Sequence, residues 1–147
     1  MNDILNTGLS IEILDPDDDY LGIVIKISNG RYAGYTRIYA GLSDLSDLAK
    51  VLEGFPETSE DKREFTFGYE RSKGVAGGYC HLVFKTWDRV GHTEIIATME
   101  DDKRDSLAAA EIPVRSIEAS AYDRFIAQLR KIEKERHGSA VLLTSSQ

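Results

Sequence analysis

Hydrophobic and polar positions alternate along much of this chain, in short runs separated by turn-forming residues. Leu9, Ile11 and Ile13 interleave with Ser10 and Glu12, the period of two that sets one face of a strand against a core. Asp15-Pro16-Asp17-Asp18-Asp19 ends that run, because proline fixes φ and aspartates favour turns. A second strand is expected from Tyr20 to Ser28, with Leu21, Ile23, Ile25 and Ile27 on one face. Asn29-Gly30 is the dipeptide best able to supply two positive-φ residues for a two-residue hairpin turn, so Tyr32 to Tyr39 should return antiparallel.

The period then changes. Leu45, Leu48, Val51, Leu52 and Phe55 recur at helical spacing, with Ser43 placed as N-cap, Asp44 and Asp47 in the first turn, and Gly54 and Pro56 at the end. A charged loop over 57–64 gives way to alternation again at Phe65, Phe67 and Tyr69. A glycine-rich turn (Arg71 to Gly78) precedes strands from Tyr79 to Trp87, from His92 to Glu100, and near Ser106 to Val114. A closing helix between about Ser116 and Arg136 buries Tyr122, Phe125, Ile126, Leu129 and Ile132.

Strands separated by turns, without βαβ repeats, favour an antiparallel meander. The expected fold is α+β: a single twisted antiparallel β-sheet of about six to seven strands with two α-helices packed on one face. The domain organisation expected is a flexible N-terminus (1–8), one α+β domain (9–136) and a loose C-terminal tail (137–147), in which Val141, Leu142 and Leu143 could add a strand.

At 147 residues, 41% hydrophobic and 29% charged, the chain can build one core. Its net charge of −7 opposes a phosphate backbone on average, so nucleic acid is a poor partner. Residues 1–20 lack the pattern of a signal peptide, and no apolar run reaches the ~18 residues of a membrane span. One cysteine, Cys80, excludes an intrachain disulfide, and a cytoplasmic location is expected. The charge is uneven: residues 1–20 carry six acids and no base, whereas Arg124, Arg130, Lys131, Lys134 and Arg136 outnumber Asp123, Glu133 and Glu135 and make the other end mildly cationic.

Several patterns invite chemistry and then fail its requirements. Asp15, Asp17 and Asp19 have the spacing that opens a calcium loop, but Tyr20 stands where that loop needs glycine and Lys26 where it needs a bidentate acid. Cys80 and His81 look like a thiol beside its base, yet neighbours on a strand face apart; only His92 or Asp88 from the next strand could complete a triad. Gly74 to Gly78 lacks the Gly-Lys-Ser/Thr ending of a phosphate loop and precedes a strand, not a helix. Three histidines, none in a helical pair, argue against zinc. No catalytic residue, metal ligand or cofactor is assigned.

Trp87, Asp88 and His92 remain as a turn in which a carboxylate could hold an imidazole in one tautomer. Together with Gly91, the alternation Ile95, Ala97, Met99 and the closing Phe125-x-x-x-Leu129, this turn resembles a group of small uncharacterised bacterial proteins over roughly residues 9–135. Members of that group are treated as possible immunity proteins of toxin systems, so the resemblance implies a binding role without catalytic residues. The function expected is a protein-binding module, with a toxin-neutralising immunity protein as its sharpest form. Its partner surface would comprise Asp15, Asp17, Asp18, Asp19, Tyr35, Tyr39, Glu57, Glu60 and Asp61, meeting a basic toxin domain. Two alternatives stand beside it: a small-molecule or carbohydrate binding domain walled by tyrosines, and a hydrolase using Cys80 with His92. Unpaired edge strands leave a homodimer open.

Overall fold

The computed structural model describes residues 7–103, 105 and 108–144. The chain runs β1 (Gly8–Pro16), β2 (Leu21–Ser28), β3 (Ala33–Ala40), α1 (Asp44–Leu52), β4 (Lys62–Gly68), β5 (Tyr79–Thr86), β6 (His92–Glu100), β7 (Ala109–Glu118), α2 (Ala121–Glu135) and β8 (Gly138–Leu143). The class is α+β, but the expected single sheet is corrected to two antiparallel sheets of four strands, ordered β3-β2-β1-β8 and β4-β5-β6-β7.

The division arises between β3 and β4. Instead of hydrogen-bonding to β4, β3 crosses the ends of the second sheet's strands. Thr36 Oγ1 donates to the Glu100 carbonyl at 2.7 Å, and the Gly78 N–H donates to the Arg37 carbonyl at 2.7 Å. Such close backbone approach demands glycine: a Cβ on Gly78 would collide with the Thr36 hydroxyl and lie 2.9 Å from the Glu100 carbonyl oxygen. Gly68, at the end of β4, has φ +74 and lies beside Ile38.

The two expected helices form, and α1 and α2 pack on each other, with α1 beside β4 and α2 along β8 and β7. Their stripes, Leu45, Leu48, Ala49 and Leu52 on α1 and Tyr122, Phe125, Ile126, Leu129 and Ile132 on α2, are buried. Glu133 of α2 accepts the Ser46 N–H at 3.0 Å, occupying a donor at the start of α1 that no helical carbonyl can reach. Ser43 occupies the expected N-cap position of α1 and Ser120 that of α2, though neither side chain makes a cap hydrogen bond. Inward residues of both sheets and both helices form one apolar cluster, in which Tyr122 packs edge-to-face on Phe55 at 4.9 Å.

Three local outcomes refine the sequence reading. The β2–β3 hairpin forms, but its loop spans 29–32 because the Asn29 carboxamide accepts the N–H groups of Arg31 and Tyr32 while donating to the Pro113 carbonyl. The last strand of the meander is Ala109–Glu118 and reaches beyond Val114; part of the expected start near Ser106 lies outside the described residues. Residues 138–143, expected within a loose tail, form β8 against β1, where Ala140 and Leu142 are fully buried. Most of the N-terminal segment expected to be flexible likewise lies outside the described residues, and Gly8 begins β1. No helix among the described residues is long and apolar enough to cross a membrane.

Candidate functional site

Alternation along β3 turns Thr36, Ile38 and Ala40 inward and leaves Tyr35, Arg37 and Tyr39 on the outer face of the first sheet. Tyr35 and Tyr39 are 62% and 57% exposed, so their rings meet solvent although neighbouring strands flank them. Register places Lys26 opposite Tyr35, and Val24 opposite both Arg37 and Glu12. At the far end of β1 alternation carries Leu14 onto this face beyond Ser10 and Glu12, 47% exposed, and a bulge between Ile13 and Asp15 leaves it without a partner on β2. Leu143 of β8 adds a fourth large exposed side chain, at 44%.

These residues border an open groove of about 690 Å³, whose walls include Tyr35, Arg37, Lys26, Glu12, Leu14 and Leu143. Arg37 continues into a second hollow of about 330 Å³ shared by Leu14, Asp15, Tyr39 and Gly77. Asp15 of the acidic turn therefore lies beside Tyr39. Tyr20 joins them: its hydroxyl donates to Asp15 Oδ2 at 3.3 Å and its ring lies edge-on to Tyr39 at 5.1 Å. Burial, then the charges of Asp15 and Asp17, raise the Tyr20 phenol above its ordinary value. Within the turn Asp17 Oδ1 accepts the Asp19 N–H at 3.0 Å, and Arg136 donates to the Asp17 carbonyl.

The second acidic group lies elsewhere. Asp61 precedes β4, and Gly68 at the opposite end of that strand is the neighbour of β3; seven residues at ~3.3 Å each separate the two ends by ~20 Å. Asp61 is also committed locally, its carboxylate binding Arg63 at 2.8 Å and the Glu57 N–H at 2.7 Å. The hydrogen bond from Arg63 leads the effects that hold this carboxyl below its usual range. Glu57 and Glu60 stay exposed in the same loop, so the expected nine-residue surface divides in two, with Glu57, Glu60 and Asp61 apart from the tyrosine face.

The Trp87 to His92 turn is a third location. His92 Nδ1 donates to Asp88 Oδ2 at 2.7 Å, and Nε2 lies 3.4 Å from Glu118. The Asp88 hydrogen bond first, then the two carboxylate charges, raise the His92 pKa. Partial burial pushes Asp88 up, but the N–H groups of Val90 and His92 and the imidazole outweigh it and leave it lowered. Cys80 does not approach this imidazole: it pairs with Met99, seven positions along β6 from His92, and burial pushes its thiol up to about 12. The proposed Cys80 triad is thereby removed. His81 faces away from Cys80 and bridges Thr66 at 2.8 Å and Glu64 at 2.9 Å on the outer face of the second sheet.

Among the described residues no group of three or more histidine, cysteine or carboxylate side chains is arranged to hold a metal ion. Arg37, Leu14 and Leu143 were not singled out from sequence. The alternations Tyr35-x-Arg37-x-Tyr39 and Ser10-x-Glu12-x-Leu14 were the available signals for Arg37 and Leu14, whereas a strand pairing that joins distant segments placed Leu143. No family model matches the chain, and no curated protein or solved structure matches it significantly.

Proposed function

We propose that this protein is a binding module that uses the outer face of its first sheet to engage another protein, in its sharpest form as an immunity protein that covers a basic toxin surface. The observation that carries this reading is the set of four large side chains, Leu14, Tyr35, Tyr39 and Leu143, exposed on a sheet face that ordinary alternation would make polar. Tyrosines are favoured anchors at interfaces, and the Asp15–Asp19 turn at the rim supplies negative charge that speeds encounter with a basic partner. Function on this reading is steric and electrostatic, without turnover.

Co-expression with a basic toxin domain encoded beside it, with host survival and pull-down as readouts, tests the proposal. Wild type should protect. Tyr35→Ala with Tyr39→Ala should weaken capture by roughly 30-fold or more if these are central anchors worth about 2 kcal/mol. Asp→Asn changes at 15, 17, 18 and 19 should slow association mainly at low salt. Absence of capture by the wild-type protein defeats the toxin reading; capture indifferent to both sets of variants defeats this surface.

The groove favours a second reading, recognition of a small molecule or carbohydrate, since about 690 Å³ falls within the ~300–1,000 Å³ of ligand sites and Tyr35 offers a ring for stacking. Calorimetry against a panel of soluble glycans separates the two, because saccharide binding lost in Tyr35→Ala would displace the protein-partner reading.

A further inference from the structure

We propose that Arg115, on the outer face of the second sheet and remote from the tyrosine groove, is the receptor of an anion site that takes a phosphate group. The site begins with an irregular strand pair. Thr93 faces Ile117 and Ile95 faces Val114, so two residues of β7, Arg115 and Ser116, oppose the single residue Glu94. Ser116 has φ +69, a conformation that costs a residue with a Cβ and that a regular ladder would not impose. Register continued from the Ile95–Val114 pair sets Arg115 against Glu94 on the outer face, and the extra residue Ser116 returns Ile117 to the core opposite Thr93.

Glu94 is only 3% exposed although it lies on the solvent side of the sheet. It accepts Arg115 Nε at 2.8 Å and has Lys85 Nζ at 3.7 Å. The guanidinium carbon of Arg115 also sits 4.2 Å from the centre of the Trp87 ring. One edge of the guanidinium is therefore pinned by a buried carboxylate and one face by an indole. Among the described residues its Nη atoms donate to no other protein group, and more than half of the side chain is open to solvent. An arginine held this way pays little ordering entropy when its paired N–H groups meet an oxyanion bidentately.

Lys62 directly opposes Lys85 on the neighbouring strand. Like charges in that position destabilise a sheet, here relieved by Glu94 and by Glu64, 3.9 Å from Lys62. A buried ion pair likewise adds little stability over an apolar replacement. Two cations, Arg115 and Lys85, gathered round one buried carboxylate with Lys62 on the strand beyond are thus poorly explained by folding and well matched to a phosphate dianion, which Arg115 grips as a fork and Lys85 meets as a point charge. The site is local, and the overall charge of −7 disfavours an extended polyanion.

Trp87 is the single tryptophan, so its fluorescence reports on this site alone. The protein is titrated with inorganic phosphate, with glycerol phosphate as an organic monoester, and with acetate, at constant ionic strength set by sodium chloride. In parallel the Arg115 Nε–Hε resonance is followed by NMR. Saturable responses of both probes to phosphate are expected, at least tenfold weaker in Arg115→Gln and unchanged in the distant Arg124→Gln. A response to inorganic phosphate alone assigns the free ion, and one to both phosphates assigns a monoester group. Non-saturating signals, equal responses to acetate, or an undiminished phosphate response of Trp87 in a folded Arg115→Gln protein overturn the proposal.

Discussion

Removing the Tyr122 hydroxyl, its ring left in place, should expose how the second sheet is tied to α2. Tyr122 is 1% exposed and its hydroxyl lies 2.7 Å from Thr93 Oγ1, which also donates to the Ile117 carbonyl at 3.0 Å. The threonine proton is committed to that carbonyl, so Tyr122 is the donor in the shared bond. Tyr122→Phe keeps the edge-on packing against Phe55 and Phe84 and loses one neutral hydrogen bond, about 1 kcal/mol. Thr93→Val is expected to be worse, about 2–3 kcal/mol, because it leaves the tyrosine O–H and the carbonyl without this partner in a dry core. In the double variant the stranded O–H is gone as well, and the loss should fall short of the sum by about 1 kcal/mol or more. Urea unfolding measures all four proteins; with a slope of ~2 kcal/mol per M, Thr93→Val should lower the midpoint by roughly 1 M. Additivity of the single changes within about 0.5 kcal/mol, or a costlier Tyr122→Phe, would refute the assigned donor and the dryness of the site.

Three further outcomes follow from the same geometry. Because His92 is raised above its ordinary 6.5, its contribution to stability is full below that pH and is lost as pH rises through the folded value; Asp88, lowered from 3.8, contributes above that value and loses its share as pH falls through its folded one. The deficit of His92→Gln in melting temperature should therefore shrink from about pH 6 to pH 9, and a deficit constant over that range would refute the ion-pair assignment. Cys80, fully buried and with its thiol raised to about 12, should react with a disulfide reagent only as fast as the protein opens, so labelling at the rate of a free thiol in native conditions contradicts its placement. Gly78→Ala should cost about 1–3 kcal/mol by driving β3 away from the strand ends it crosses, and a neutral effect in thermal unfolding would disprove that close approach.

The amino-acid pattern by itself determined the local elements and their faces. Alternation in Leu21, Ile23, Ile25 and Ile27, and the helical stripe Tyr122 to Ile132, are written in adjacent residues and survived intact in the fold. So did the opposed faces of Cys80 and His81 and the shared face of Tyr35 and Tyr39, since period two is a property of any strand. What alternation cannot encode is a strand's neighbour. A buried face reads the same whether it covers a helix, its own sheet or a second sheet, so the split between β3 and β4 was not legible, nor was the pairing of β8 with β1 across most of the chain. The same limit applied to both candidate surfaces. Four acids at 15, 17, 18 and 19 could be assigned to one turn from their order alone, but whether Glu57, Glu60 and Asp61 joined them depended on which end of β4 met β3. Alternation put Leu14 and Arg115 on outer faces, but which residues they meet there was settled only by strand pairing. Local sterics and hydrophobic periodicity act over a few residues; the remaining decisions rested on backbone approach at Gly78, strand pairing and burial of one common core, which only the folded chain brings together.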